Sequence, residues 1–399
     1  MQIFITGANF GNKGAQSMLF TTISAIRQHF PDAKIFFAHG NKTPVLKGNF
    51  SFDEIYWKRN LFKVSAEGIE LPTAPTPWSS AEETFAALKS SDLIIDISGF
   101  ALGSKWGKKH SATYLNAVEV ARELGIPIIL FPQSFGPFDF GSAQDELDAR
   151  IKSTLTYPKK IFARERDGYQ ALRDNYGLKN VVLHPDLVLA SDKTNPADIY
   201  KVAPKISVPE VAESSCVGVA PNMRSFDKGN SWQTLQIFYE TIKFLLKAGK
   251  RVYLFRHSQE DINPCTWLKN LFADDERVTL WRNNFSCFEY DAVCRQFEFL
   301  VIGRFHGIVH AYRNNVPCVL LGWAVKYREL AQLMYQPQYI FDITAPNFDV
   351  REIFSAVRDM DDNRDFNKRL LRERLAQVQK CGTCFDDAIK FLRGKEKSI

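Results

Sequence analysis

Short apolar runs alternate with longer amphipathic stretches almost from end to end of this chain, and that alternation leaves few folds open. Gln2 to Thr6 is an apolar run, followed by a glycine-bearing turn. From about Ala15 onward, Ala15, Met18, Leu19, Ile23, Ile26 and Phe30 fall on one face at helical spacing. Lys34 to Ala38 reads as the next strand. Strand, turn, helix and strand within about 35 residues form a βαβ unit, and such units build parallel sheets.

The pattern recurs. Asp92 to Ser98 reads as a buried strand, Ala112 to Leu124 as a helix and Pro127 to Phe131 as a strand, with further strands at Lys160 to Ala163 and Val181 to Leu183. Between Ser191 and Ser215 the sequence turns polar and proline-dotted without a sustained period, which marks a linker. A second series then places strands at Cys216 to Ala220, Arg251 to Phe255, Val278 to Leu280, Phe297 to Ile302 and Pro317 to Leu321. Helices such as Trp232 to Lys247 and Ser286 to Gln296 fit between them. The expected fold is α/β, with two Rossmann-like, doubly wound domains facing a cleft. Residues 1–190 form the N-terminal domain, 191–215 the linker, 216–362 the C-terminal domain, and 363–399 a charged helical segment returning to the first domain. At 399 residues the chain exceeds the usual reach of one hydrophobic core, which agrees with two domains.

Composition narrows the classes of function. Fifty-one basic against 45 acidic residues leave a net charge of +6, dispersed and without an arginine-rich arm, so nucleic acid is not an expected partner. A mild positive field suits small anionic substrates or an anionic membrane surface. The opening residues show no basic segment followed by a long apolar one, and no run of about 18 apolar residues occurs, so a cytoplasmic protein is expected. Seven scattered cysteines argue against a disulfide framework, and Cys381-Gly-Thr-Cys384 has no second pair at zinc-like spacing.

In doubly wound sheets ligands sit beyond the carboxyl ends of the strands, so polar residues that follow strands carry the functional weight. Gly7-Ala-Asn-Phe-Gly-Asn-Lys-Gly14, with Asn12 in it, opens the first helix and offers free N–H groups to an anion. It matches neither nucleotide-binding glycine pattern, since Lys13 precedes the last glycine instead of following it. Phe131-Pro-Gln-Ser-Phe-Gly-Pro137 reads as a rigid loop presenting Gln133 and Ser134. Gly303-Arg-Phe-His-Gly307 puts Arg304 and His306 at a strand end and a helix start together, a place that suits phosphate or carboxylate. His306 and His310 stand four apart but lack a third ligand, so no metal is expected. Lys326, Arg224, Arg256, His257, Arg164 and Arg166 each follow a strand, and together they make a basic lining for an anion. Asp186 and Asp261 are the carboxylates nearest these loops, as general base or as helix cap.

With these segments assembled, the sequence resembles the polysaccharide pyruvyl transferase family. The resemblance rests on Gly11-Asn-Lys-Gly-Ala15, Pro132-Gln-Ser-Phe-Gly-Pro137, Ala163-Arg-Glu-Arg-Asp167, His184-Pro-Asp186, and Arg304-Phe-His-Gly307 with Lys326 following, in the family's order over about residues 1–345. The chain departs from many relatives at Ala15, where they carry an acidic residue, and at Ser98-Gly-Phe-Ala101, where they carry a run of glycines. The resemblance implies two Rossmann-like domains arranged as in GT-B glycosyltransferases, with the acceptor on the first domain and the donor on the second. It also implies transfer of an enolpyruvyl group from phosphoenolpyruvate to a sugar hydroxyl. The product the resemblance implies is a pyruvate ketal on an exopolysaccharide or a lipid-linked oligosaccharide.

Carried over by position, His306 and Arg304 are the expected catalytic residues. Arg164, Lys326, Arg224, Asn12, Gln133 and Ser134 are the expected substrate ligands. Arg164 is preferred to Arg166 because Leu172 then falls where the family places its leucine. No cofactor is expected beyond the donor substrate. The partners the resemblance implies are phosphoenolpyruvate and a glycan, with peripheral contact at the inner membrane face as a further expectation. His306→Ala and Arg304→Ala are each expected to remove most activity and leave the fold intact. The alternatives are a GT-B glycosyltransferase using a nucleotide sugar, which lacks here its usual C-domain Glu after a glycine-rich turn, and a non-catalytic component of a glycan pathway.

Overall fold

The computed structural model describes every residue except 47, 192–193, 212–214, 323, 347 and 397–399. The chain divides into two compact units. The first comprises Met1–Phe10, Ala15–Pro204 and Gly382–Ile399, and the second Gly11–Gly14 and Lys205–Cys381.

The first unit is built on an eight-stranded sheet. Gln2–Thr6 lies at its centre, in parallel pairing with Lys34–His39 on one side and Leu93–Asp96 on the other. Asp53–Tyr56 continues beyond Lys34–His39, and Ile128–Phe135, Lys160–Ala163 and Val181–Leu183 continue beyond Leu93–Asp96. The winding direction therefore reverses between Gln2–Thr6 and Leu93–Asp96. A central parallel strand is covered on both faces, which is why Ile3, Phe4 and Ile5 form an unbroken apolar run and are fully buried. Each such side chain contributes about 1.5–3 kcal/mol by leaving water. The helix Lys13–His29 buries Met18, Leu19, Phe20, Ile23 and Ile26. The turn between strand and helix needs Gly7, whose φ is +97° and whose added Cβ would lie 2.4 Å from Ser98 Oγ.

The second unit carries a six-stranded parallel sheet. Cys216–Ala220 is flanked by Arg251–Phe255 and then Val278–Trp281 on one side, and by Leu300–Ile302, Cys318–Gly322 and Ile340–Asp342 on the other. Its reversal point falls between Cys216–Ala220 and Leu300–Ile302. The helix Ser231–Lys247, capped by Asn230, buries Ile237, Phe238, Ile242, Leu245 and Leu246 at helical spacing.

Several details depart from the sequence reading. The strand expected to stop at Phe131 runs on to Phe135, because Phe100–Leu102 pairs with its second half. A register shift against Lys160–Ala163 between Leu130 and Gln133 accommodates Pro132. Gln133 and Ser134 are thus strand residues and not loop tips.

The polar stretch expected as a linker is fastened to the first unit as far as Val202. Ser24 donates to Asp198 at 2.6 Å, Tyr200 stacks on Phe50 at 4.9 Å, and the Val202 amide donates to Asn49. Residues 192–193 and 212–214 of that stretch lie outside the described residues.

The described part of the segment expected over 363–399 is two helices, Arg364–Lys380 and Cys384–Glu396, broken at Gly382 with φ +82°. Arg364–Lys380 stays with the second unit, where Arg364 pairs with Glu298 at 2.5 Å and Arg374 donates to the Leu333 carbonyl at 2.6 Å. Cys384–Glu396 belongs to the first unit, through Lys160–Asp387 at 2.8 Å and Phe385 against Phe131 at 5.3 Å. Charge alone had made the two look like one element. No helix among the described residues is long and apolar enough to cross a membrane.

Candidate active site

The reversal point of the second sheet gathers most of the residues singled out from sequence. Asn222 follows Cys216–Ala220, caps the helix Met223–Lys228 through the Arg224 amide, and donates at 2.8 Å to the carbonyl of Gly303 at the end of the neighbouring strand. Asp261 is fully buried there. It accepts from the amides of Met223 and Ser258, both at 2.9 Å, and from Arg304 Nε at 2.8 Å and Nη2 at 2.6 Å. Arg304 Nη2 also donates to Glu260 at 2.7 Å. Burial alone pulls the Arg304 pKa down, and Asp261 and Glu260 more than reverse this, so it stays above its ordinary range. The fork is thereby fixed, and Nη1 is the end of the guanidinium that makes no hydrogen bond to a described residue.

His306 and Lys326 meet around Phe305. The His306 ring packs edge-on to Phe305 at 5.3 Å, and Lys326 Nζ sits over the same ring at 5.4 Å and over Tyr327 at 5.7 Å. Tyr327 Oη donates to the Gly303 carbonyl at 3.2 Å, which ties the helix Val325–Leu333 to the end of Leu300–Ile302. His306 lies half-buried in the first turn of the helix Phe305–Arg313, where backbone N–H groups point outward. Arg224 lies at the rim, with its side chain 59% exposed and paired to Asp227 at 3.3 Å and Glu260 at 4.0 Å.

The glycine loop joins this group. Asn12 forms an antiparallel bridge with Ser258, and its Oδ1 accepts from the Gly14 amide at 2.9 Å. Gly14 lies so close to the His306 ring that an added Cβ would stand 2.2 Å from Cγ, so only glycine lets backbone and imidazole approach like this. Sequence reasoning weighed Lys13 only as a misplaced nucleotide-loop lysine. The structure buries it beside the same residues, with Nζ donating to Asn284 Oδ1 at 2.8 Å. A lysine bracketed by glycines at a strand-to-helix turn was the available signal. His257 is also buried here, and burial, reinforced by His310, Arg304, His306 and Lys13, holds it neutral, with a pKa well below its ordinary value. His310 is bonded to Asp291 at 2.7 Å. No group of three His, Cys, Asp or Glu able to hold a metal occurs among the described residues.

The remaining expected ligands lie in the first unit. Arg164 was expected to bind the donor, but its guanidinium is 4% exposed and bonded to Glu165 at 2.8 Å, Asp186 at 3.1 Å and Ser134 at 2.7 Å. Asp186 itself caps the short helix Leu187–Ala190. Gln133 is fully buried, donating to Asp96 at 3.1 Å and accepting from Tyr114 at 3.2 Å. Ser134 donates to Glu165 at 3.0 Å. These bonds tie the carboxyl ends of neighbouring strands together. The exposed arginine of the pair is Arg166. Arg164→Met is expected to strand two buried carboxylates and to lower stability by about 3–5 kcal/mol, read as a drop in melting temperature; an unchanged melt would contradict the framework role.

Two parallel α/β units, each with a switch point that gathers polar side chains, define the GT-B class of fold. Solved structures agree. UDP-GlcNAc 2-epimerase from Neisseria meningitidis, bound to UDP-GlcNAc, superposes with a TM-score of 0.54 at 10% identity, covering 99% of this chain and 100% of its own. UGT71G1 from Medicago truncatula, complexed with UDP-glucose, gives 0.53 at 11% identity over 98% and 97%. The UDP-GlcNAc 2-epimerase from Methanocaldococcus jannaschii gives 0.52 at 11% over 90% and 92%. No curated protein sequence matches significantly. The model of the polysaccharide pyruvyl transferase family matches residues 12–324, and the chain belongs to that family. It is accordingly a transferase acting on polysaccharide, with a glycan as acceptor.

Proposed function

We propose that the protein transfers the enolpyruvyl group of phosphoenolpyruvate to a sugar hydroxyl and closes it into a pyruvate ketal. The observation that carries this reading is that His306 and Lys326 both pack on Phe305, next in sequence to the Asp261-bound Arg304, at the switch point of the second sheet. Phosphoenolpyruvate holds a phosphate and a carboxylate on one small carbon frame. It calls for several fixed cationic or N–H donors within a few ångströms, which bind charge-assisted and bidentately. Arg304 offers Nη1 from a fork that Asp261 and Glu260 hold rigid, Lys326 offers a point charge, and the first turn of Phe305–Arg313 offers N–H groups.

The reaction runs in four steps. His306 delivers a proton to the methylene carbon, leaving an oxocarbenium-like centre at C2. One sugar hydroxyl adds there and gives up its proton. Phosphate then departs with the C–O bonding pair. A second hydroxyl adds and closes the ring, its proton passing to the departed phosphate while the first hydroxyl's proton restores His306, so one diol and one phosphoenolpyruvate yield one ketal and one hydrogen phosphate. The helix N-terminus disfavours imidazolium, and a bound phosphate favours it.

A thermal-shift comparison of phosphoenolpyruvate with nucleotide sugars tests the reading. Stabilisation by phosphoenolpyruvate alone is the expected result, and stabilisation by UDP-sugars alone would replace it with a glycosyl donor.

A further inference from the structure

We infer that Lys13 is a ligand of the donor's phosphate, a role that rests on the phosphoenolpyruvate reading and adds to the second sheet's site a cation contributed from the opposite end of the sequence. Lys13 is 4% exposed, and its ammonium donates to the neutral Oδ1 of Asn284 at 2.8 Å. No carboxylate of a described residue comes within ion-pairing distance of it. Other cations buried to a similar degree are neutralised. Lys250 pairs with Glu298 at 2.8 Å and Asp361 at 2.6 Å, and Arg164 with Glu165 and Asp186. A buried charge without a partner is costly and persists where an anion completes it.

A second observation points the same way. His257, 1% exposed, has no hydrogen-bond partner at either ring nitrogen, and its electrostatic neighbours are Lys13, His306, Arg304 and His310. Buried polar atoms left open in this way mark a place where water or a ligand oxygen belongs. The loop that carries Lys13 is held to the site on both sides of it, by Asn12 on Ser258 and by Gly14 against the His306 ring.

The charge on Lys13 is also adjustable. Burial first, and then the positive charge of Arg256, bring its pKa down to about 8, while Cys287 and Glu289 on the neighbouring helix partly offset this. The ammonium is therefore present below pH 8 and lost above it, and an arriving phosphate raises the pKa and fixes the charged form. His257 and His306 are the other titratable groups facing the loop.

Isothermal titration of phosphoenolpyruvate, and separately of inorganic phosphate, into wild type, Lys13→Met and Lys13→Arg between pH 7 and 9 tests the assignment. Lys13→Met should weaken phosphoenolpyruvate binding about 10- to 100-fold at pH 7, in line with loss of one charge-assisted hydrogen bond. It should melt no lower than wild type, since it removes an unpaired buried charge. Wild-type affinity should fall as pH rises through 8, and Lys13→Arg should keep measurable affinity that is flat across that window. Binding to Lys13→Met within twofold of wild type, with the same fall above pH 8, would overturn the role. A wild type that ignores phosphoenolpyruvate would sink the donor reading instead. The phosphate arm then decides Lys13 by itself: undiminished phosphate binding in Lys13→Met overturns it, and lost binding upholds an anion site there.

Discussion

Replacing His306 by alanine is expected to slow phosphate release from phosphoenolpyruvate by about 10²–10⁴-fold, the usual loss when a positioned proton donor is removed. The fold should survive, because His306 is half-buried, at the start of a helix whose buried face is Ile308, Val309, Ala311 and Tyr312. The way the loss divides is the discriminating part. A proton donor acts in the transition state, so kcat should fall while KM for phosphoenolpyruvate changes little. If His306 only holds the phosphate, KM rises and kcat is nearly kept. Full activity in the variant would remove the histidine from the mechanism.

Arg304→Ala is expected to damage both chemistry and fold, which departs from the expectation drawn from sequence. The arginine is the counter-charge of Asp261, which is fully buried and also receives the amides of Met223 and Ser258. Removing one member of such a pair leaves an uncompensated buried charge and costs about 3–5 kcal/mol. The melting temperature should therefore drop, and activity should be absent even at temperatures where the variant is folded. Arg304→Lys keeps the charge but loses the planar fork that grips both carboxylates, so it should recover part of the stability and little of the rate. An Arg304→Ala protein that melts like wild type would show that Asp261 does not depend on it.

The architecture was legible because central parallel strands must be apolar on both faces. Ile3-Phe-Ile5 and Cys216-Val-Gly-Val-Ala220 can be little else. Edge and accessory strands such as Asp53–Tyr56, Phe100–Leu102 and Ile340–Asp342 are only three or four residues long, and they depend on neighbours that a linear reading does not supply.

The same contrast holds in the candidate site. Arg304 and His306 could be placed because they sit where a strand ends and a helix begins, a position written in the local sequence. Arg164 looked equivalent by that rule, yet Glu165, beside it in sequence, and Asp186, more than twenty residues on, turn its guanidinium inward. Lys13 went unassigned for the converse reason. Its neighbours Asn284, Arg256 and His306 lie hundreds of residues away, and only the folded loop reveals that no carboxylate of a described residue forms an ion pair with it.

Acceptor-dependent phosphate release is the most direct test of a donor site built from Arg304, His306 and Lys326. The wild-type protein is supplied with phosphoenolpyruvate and a panel of β-galactosides and N-acetylhexosamines, and inorganic phosphate is measured together with the new ketal methyl group by NMR. At least one acceptor should give phosphate and ketal in equal amounts, with neither formed when the sugar or phosphoenolpyruvate is left out. Consumption of a UDP-sugar in the same panel, with phosphoenolpyruvate untouched throughout, would contradict the account.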